Sequence, residues 1–420
     1  MSADRARSAL VASLVSAGRV RTPAVRAALE TVPRHLFLPA LDPGEAYADV
    51  AVPIKVDDGV TVSSVSQPSM VAIMLEQLGA APGHRVLEVG AGAGWNAALL
   101  AELVGPDGAV TTLDIDDDLV AGARANLDTA GFDGVDVVAG DGALGYPPGA
   151  PYDRIELTVG STGVRPEWVA QLAPGGRLLL PLTVRGSQLS VAFVHTAPGR
   201  LRSSSVRSCA FVRLRGEGAD QGAEVSLPDG RWRVQPACGS DDADDPDPRA
   251  LARATTGEGT DRPVAAAGTV ADLWDGLGLW AAIADPGVVR LFGPDEGGAA
   301  PALFDLGGVR VTLGLVAGDG CAVLLAAPEA TVRACGPDGD LAAERLAGLI
   351  AGWVDAGRPH AADLRIEAVV PSLADPRDGT DSATSATSAT GAPGAGPGEV
   401  LVDGAGTRLT LRWGPAHAGG

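Results

Sequence analysis

The stretch His84-Arg85-Val86-Leu87-Glu88-Val89-Gly90-Ala91-Gly92-Ala93-Gly94-Trp95 decides the fold. Residues 84–89 are short and mostly apolar, which predicts a buried strand. Residues 97–104 (AALLAELV) predict a helix, and glycines fill the turn between them. A strand passing through such a turn into a helix lets the backbone come close to a bound nucleotide. The same alternation continues downstream. Strands are predicted at Ala109–Asp114, Val135–Ala139 and Arg154–Val159, with a helix around 117–129. A helix over PEWVAQLA then precedes the turn Pro174-Gly175-Gly176 and a strand RLLLPL. Strand–helix alternation with short connections implies an α/β protein with a doubly wound parallel sheet. LSVAFVHT followed by VRSCAFVRL predicts an antiparallel hairpin closing that sheet. Upstream, helices are predicted over 3–16, from Thr22-Pro23 to about Glu30, and over 69–79.

A chain of 420 residues exceeds what one core usually organises. We divide it into a domain at 1–215, a linker at 216–250 and a small mixed α/β accessory domain at 251–420. The linker carries GEGAD (216–220) and DDADDPDP (241–248), both turn-rich and charged. In the accessory domain, helices are predicted at 271–284 and 341–356. Strands are predicted at 287–293, 308–314, 321–326, 364–370 and 407–413. Residues 380–398 are low-complexity Ser/Ala/Thr/Gly sequence, read as a flexible insertion before a last strand, EVLVDGAGTRLTLRW.

The net charge of −20 (Lys+Arg 32, Asp+Glu 52) argues against nucleic acid or anionic membranes as partners. The arginines between Arg200 and Arg215 are read as a solvated strand face. Cys209, Cys238, Cys321 and Cys335 form no CxxC pair, so neither a metal site nor a disulfide framework is expected. The charged N-terminus does not look like a signal peptide, and no apolar run is long enough to span a bilayer. A cytoplasmic location is expected.

The glycines Gly90, Gly92 and Gly94 follow a GxGxG spacing. The dinucleotide form GxGxxG would place its third glycine where Trp95 stands. GxGxG is instead the form usual in S-adenosylmethionine (SAM)-dependent methyltransferases. Asp114 ends the second strand, where an acid can accept both ribose hydroxyls. Gly140-Asp141-Gly142 follows the third, where this class often places an acid on the adenine amine. The candidate cofactor residues are Glu88, Gly90, Gly92, Gly94, Asp114, Ile115, Asp141 and Gly142. A nicotinamide site, or a SAM site kept only as a sensor, are the alternatives.

Four further segments resemble the protein-L-isoaspartate O-methyltransferase family. Val32-Pro33-Arg34-His35-Leu36-Phe37 is similar to its VPRxxF segment, and Tyr47-Ala48-Asp49 with Val52-Pro53-Ile54 to its AYxDxxxPI stretch. Ser64-Val65-Ser66-Gln67-Pro68 is similar to TISQP, and Phe211-Val212-Arg213-Leu214 to RFVPL. The resemblance covers about 5–215 and implies methyl transfer from SAM to an aspartyl or isoaspartyl carboxylate, then succinimide formation. It implies a substrate wall of Ser64, Ser66, Gln67 and Pro68, with Ser66 orienting the carboxyl group, and Glu88 near the methionine end of the cofactor. An ionised carboxylate needs no general base, so the absence of a His/Asp or Cys/His dyad fits.

Two departures stand out: KVDDGVTVSSV (55–65) is longer than its counterpart in the repair enzymes, and the accessory domain is additional. Both resemble a branch that modifies aspartate in ribosomally made peptides, so a peptide precursor stands beside damaged protein as an expected partner. A small-molecule methyltransferase is the alternative of another class. Plainer roles are also open: packing for His35, a helix cap for Ser66, a cover over the turn for Trp95, and core for Trp274 and Trp280.

Overall fold

The computed structural model describes residues 1–414 apart from 220–223, 228–229, 238–247, 256–258, 267, 294–302, 306–308, 327–328, 372–398 and 405. Cys238, most of the Asp-rich stretch and the 380–398 insertion lie outside the described residues. Helix Ala3–Ser16 is followed by Pro23–Thr31, which begins where the sequence indicates, with the Thr22 hydroxyl accepting from the Val25 N–H. The lengthened segment folds as a hairpin of β1 (Val52–Asp57) and β2 (Val60–Val65). Its turn is Asp58-Gly59, both at positive φ (46° and 79°), the conformation a two-residue hairpin demands. Helix Pro68–Leu78 then stops at Gly79.

The alternating region supplies β3 (Arg85–Val89), β4 (Ala109–Asp114), β5 (Asp136–Ala139), β6 (Tyr152–Leu157) and β7 (Leu172–Val184). They lie side by side in the order β5-β4-β3-β6-β7, every neighbour parallel. Chain order reverses between β3 and β6, the switch point at which doubly wound sheets bind ligands. β7 is longer than expected, because Pro174-Gly175-Gly176 stays within the strand. Antiparallel β8 (Ser187–Ala197) and β9 (Arg200–Ser208) continue the sheet. One face is covered by the N-terminal helices with Trp95–Val104 and Asp117–Ala130, the other by helix Pro166–Ala170 with the buried Trp168. This is an α/β architecture with a doubly wound, mostly parallel sheet, as the sequence indicates.

A second sheet, antiparallel throughout, is built from β10 (Val225–Ser226), β11 (Arg233–Pro236), β12 (Thr260–Pro263), β13 (Val288–Gly293), β14 (Phe304–Asp305), β15 (Arg310–Ala317), β16 (Gly320–Leu325) and β17 (Thr331–Cys335). Helix Gly339–Asp355 packs on it through Ala342, Leu346, Ile350 and Trp353. The helix read at 271–284 is divided: a single turn at Ala271–Leu273, then Leu277–Ala284. Trp280 is core, and Trp274 packs beside it.

The chain then returns to the first sheet. β18 (Leu364–Val369) pairs with β9, β20 (Thr407–Trp413) with β18, and β19 (Val400–Gly404) with β20. The assignment of all of 251–420 to a separate unit is therefore corrected: its last three strands complete the first sheet, and EVLVDGAGTRLTLRW is a hairpin of two of them. The second unit is also tied in by Arg290 on β13. Its fully buried guanidinium donates to the Leu273 carbonyl and the Ser187 hydroxyl at the start of β8. Among the described residues, no helix is long and apolar enough to cross a membrane.

Candidate active site

Two adjoining clefts open at the carboxyl ends of β3, β4 and β6. The first, with about 550 Å³ of empty space, runs along Gly90, Gly92, Asp114, Ile115 and Gly142 and is closed by residues 212–215. The second, about 420 Å³, runs between Ser64–Ser66, Glu88, Trp95, Asn96 and Glu156. Ser64, Gly90, Gly92 and Thr158 line both, so the clefts meet over the glycine turn.

Local chemistry explains the turn. Gly90, Gly92 and Gly94 all have positive φ (104°, 51° and 90°). A Cβ on Gly90 would stand 2.5 Å from the Thr158 hydroxyl, which donates to the Gly90 carbonyl. Gly94 lines neither cleft. Its role is close packing, since a Cβ there would press on Leu127 and the Ala123 carbonyl. Asp114 braces the turn, with Oδ2 accepting from the Gly92 N–H at 3.1 Å and Oδ1 from the Asp116 N–H. Burial raises its pKa above the usual carboxylate range.

Glu88 and Glu156 occupy paired positions on β3 and β6, and both are fully buried. Asn96 donates to both carboxyls, at 2.8 Å and 3.0 Å, and the Thr112 hydroxyl donates to Glu88 at 2.6 Å. Desolvation pushes Glu88 up to about 8 and Glu156 up to about 7. One oxygen of Glu156 has no hydrogen-bond partner.

The hairpin forms the roof. Lys55 on β1 pairs with Asp116 (2.9 Å) and Asp118 (2.7 Å), and Arg215 grips Asp116 at 2.6 Å from the other side of the first cleft. These partners hold Asp116 below the ordinary carboxylate range, Arg215 foremost. Beneath the roof, the buried Arg34 guanidinium donates to the carbonyls of Ala46 and Ser66 and lies 4.2 Å from the centre of the Trp95 ring. Three of the motifs read from sequence thus meet at one side chain.

The structure brings together Ser64, Ser66, Glu88, Gly90, Gly92, Asp114, Ile115 and Gly142 along these clefts. Gln67 and Pro68 line neither: the Gln67 amide donates to the Asp49 carbonyl, and Pro68 starts the following helix. Nor does Ser66 cap that helix, because the Asp49 carboxylate accepts from the Ser69 N–H instead. Asp141 stands at the start of the turn that follows β5. Its oxygens accept from the N–H groups of Ala143 and Glu217, and Gly142 lines the first cleft. The segment that folds back onto Asp141 lies 76 residues on, beyond any local pattern. His35 hydrogen-bonds the Tyr47 hydroxyl. Arg213 and Arg215, read as part of a solvated face, line the first cleft. Asn96, Glu156, Thr158 and Lys55 belong to no motif of the sequence; Asp58-Gly59 is the local signal for the hairpin that carries Lys55.

A GxGxG turn at the switch point, an acid at the end of the next strand and an acidic second cleft define a SAM-dependent methyltransferase of class I. Residues 5–219 match the family model described as Protein-L-isoaspartate(D-aspartate) O-methyltransferase, and the chain belongs to that family. It is similar to the protein-L-isoaspartate O-methyltransferase of Methanopyrus kandleri, 46% identical over 214 residues, 51% of this chain and 92% of that protein. It is also similar to that of Hyperthermus butylicus, 41% identical over 220 residues, 50% of this chain and 89% of that one. A solved protein-L-isoaspartate O-methyltransferase superposes with a TM-score of 0.48 at 21% identity, covering 86% of this chain and 96% of that one. As a family member the chain is a SAM-dependent protein carboxyl methyltransferase. The residues present fit the cofactor: the two clefts meet over the glycine turn, Asp114 lines the first of them, and the orphaned Glu156 oxygen in the second suits a cation.

Proposed function

We propose that the chain methylates the carboxylate of isoaspartyl residues in proteins or peptides. The observation that carries this is the position of Ser64-Val65-Ser66. This segment walls the second cleft while Ser64 also lines the first, so the substrate-facing strand and the cofactor turn share one wall. When bound, SAM supplies a methyl group on a positively charged sulfur, open to in-line attack by a carboxylate. Asp114, with Gly92 and Ile115 beside it, would hold the ribose. Gly142 and Leu214 would face the adenine, and Asp141 would keep their turn in shape. Glu88 would lie at the methionine end. Ser66, its carbonyl anchored by Arg34, would orient the substrate carboxyl group. Catalysis here is positioning and charge complementarity, with no proton to remove.

A dedicated role on aspartate in a ribosomal peptide precursor is the second reading. The β1–β2 hairpin beside Ser64 favours it, since it enlarges the wall a peptide would meet. The test is incubation of the full chain and methyl-labelled SAM with matched peptides containing isoaspartate or aspartate, followed by base-labile methanol. Label in the isoaspartyl peptide alone is expected, with Ser66→Ala lowering turnover about tenfold or more. Label in the aspartyl peptide alone would move the assignment to the second reading. Transfer to neither, with SAM demonstrably bound, would contradict carboxyl methylation.

A further inference from the structure

The second cleft has an unusual floor. Glu88 and Glu156 sit side by side on neighbouring strands, neither exposed to solvent. The groups facing them are Thr112 from β4, Asn96 and Trp95 from the helix after the turn, and Thr158 just beyond β6. From the roof and the helix behind it come Val65, Ser66, Val71 and Met74. Asp114, at the end of β4, adds only like charge, raising Glu88 further. No Lys, Arg or His is among the residues lining this cleft. Two buried carboxyls without a cation are costly to ionise. Asn96 and Thr112 satisfy three of their four oxygens, and the fourth, on Glu156, is left without a partner in a residue that lines the cleft. An acidic pair with an orphaned oxygen and no internal counter-ion is complementary to a positively charged ligand.

We propose that Glu88 and Glu156 together form the receptor for the cationic end of the cofactor, and that the pair releases a proton to solvent as that cation enters. The inference rests on SAM being the cofactor and assigns Glu156 a part in holding it. The sign follows from linkage. In the free protein, burial favours the protonated pair around neutrality. A bound cation favours the ionised pair, so binding expels a proton and affinity rises with pH until the pair is ionised without help. Two groups on the ligand carry positive charge, the α-ammonium and the sulfonium. S-adenosylhomocysteine keeps only the first.

The experiment is calorimetric titration of the full chain with SAM and with S-adenosylhomocysteine, near pH 7, in buffers of different ionisation enthalpy. Wild-type protein is expected to release a fraction of a proton with SAM, and Glu156→Gln to release clearly less and bind SAM about tenfold more weakly. Near pH 7 the free ligand's amino group is already mostly protonated, so it has little proton left to take up on binding, and the difference between the two proteins reports chiefly the side chain. Release with both ligands identifies the ammonium as the cation sensed, and release with SAM alone identifies the sulfonium; either supports the proposal. A second measurement needs no variant: the wild-type Kd for SAM should tighten between pH 6 and 8, by at most about tenfold per unit. A pH-independent Kd, or equal proton release in wild type and Glu156→Gln, would overturn the proposal while leaving the cofactor assignment intact. Failure of the wild-type chain to bind either compound would overturn both.

Discussion

The two halves of the ten-stranded sheet are built from similar apolar strands and do different things. In the parallel half, β3 to β7, successive strands run the same way, so the carboxyl ends of β3, β4, β5 and β6 lie at one edge. Glu88 with the glycine turn, Asp114, Gly142 and Thr158 all arrive there. In the antiparallel half, β8, β9, β18, β20 and β19, strand ends alternate between edges and hairpins occupy them. No residue of these five strands lines either cleft. Instead this half fills one core with Val191, Phe193, Ile366 and Leu411. Strand direction, more than composition, decides which half carries chemistry.

That contrast can be attacked from either side. The largest effect belongs to the parallel half. Gly90→Val would force a branched side chain into a backbone at φ 104° and against Thr158. SAM affinity should fall about 100-fold or more, read by calorimetry on protein shown to be folded by circular dichroism. Near-normal binding would break the comparison. A smaller effect, of another kind, is expected from Thr407→Val on β20. The Thr407 hydroxyl bonds both the N–H and the carbonyl of Val164, in the loop after β6, at a buried position. Removing it should cost about 1–3 kcal/mol in denaturant unfolding, because the Val164 groups lose their partner. The Kd for SAM should stay within about twofold. A large loss of affinity would mean that the last strand shapes the clefts as well as the core.

The parallel half was also the legible half. Strand β4 and the helix starting after Thr22 were readable because buried strands and capped helices are written in neighbouring residues. GxGxG announced its turn for the same reason. What could not be read depended on partners far along the chain. Nothing local in Leu364–Val369 says that it pairs with β9. The occupation of Asp141 by the Glu217 N–H is equally non-local. The carboxyl pair is a third case: Glu88 and Glu156 become neighbours only through the register of β3 on β6. The β1–β2 hairpin is different, since Asp58-Gly59 between alternating residues is a local signal for its turn. Short strands such as β11 and β12 carry too few residues to show a period.

The location of the site at the carboxyl ends of the parallel strands is the central claim, and amide hydrogen exchange on the full chain with and without S-adenosylhomocysteine tests it most directly. The account predicts added protection in four segments: residues 88–96, 114–117, 141–144 and the hairpin 54–66. It predicts none in β15, β16 and β17 of the second sheet. Protection concentrated in those second-sheet strands, with the glycine turn unchanged, would contradict it.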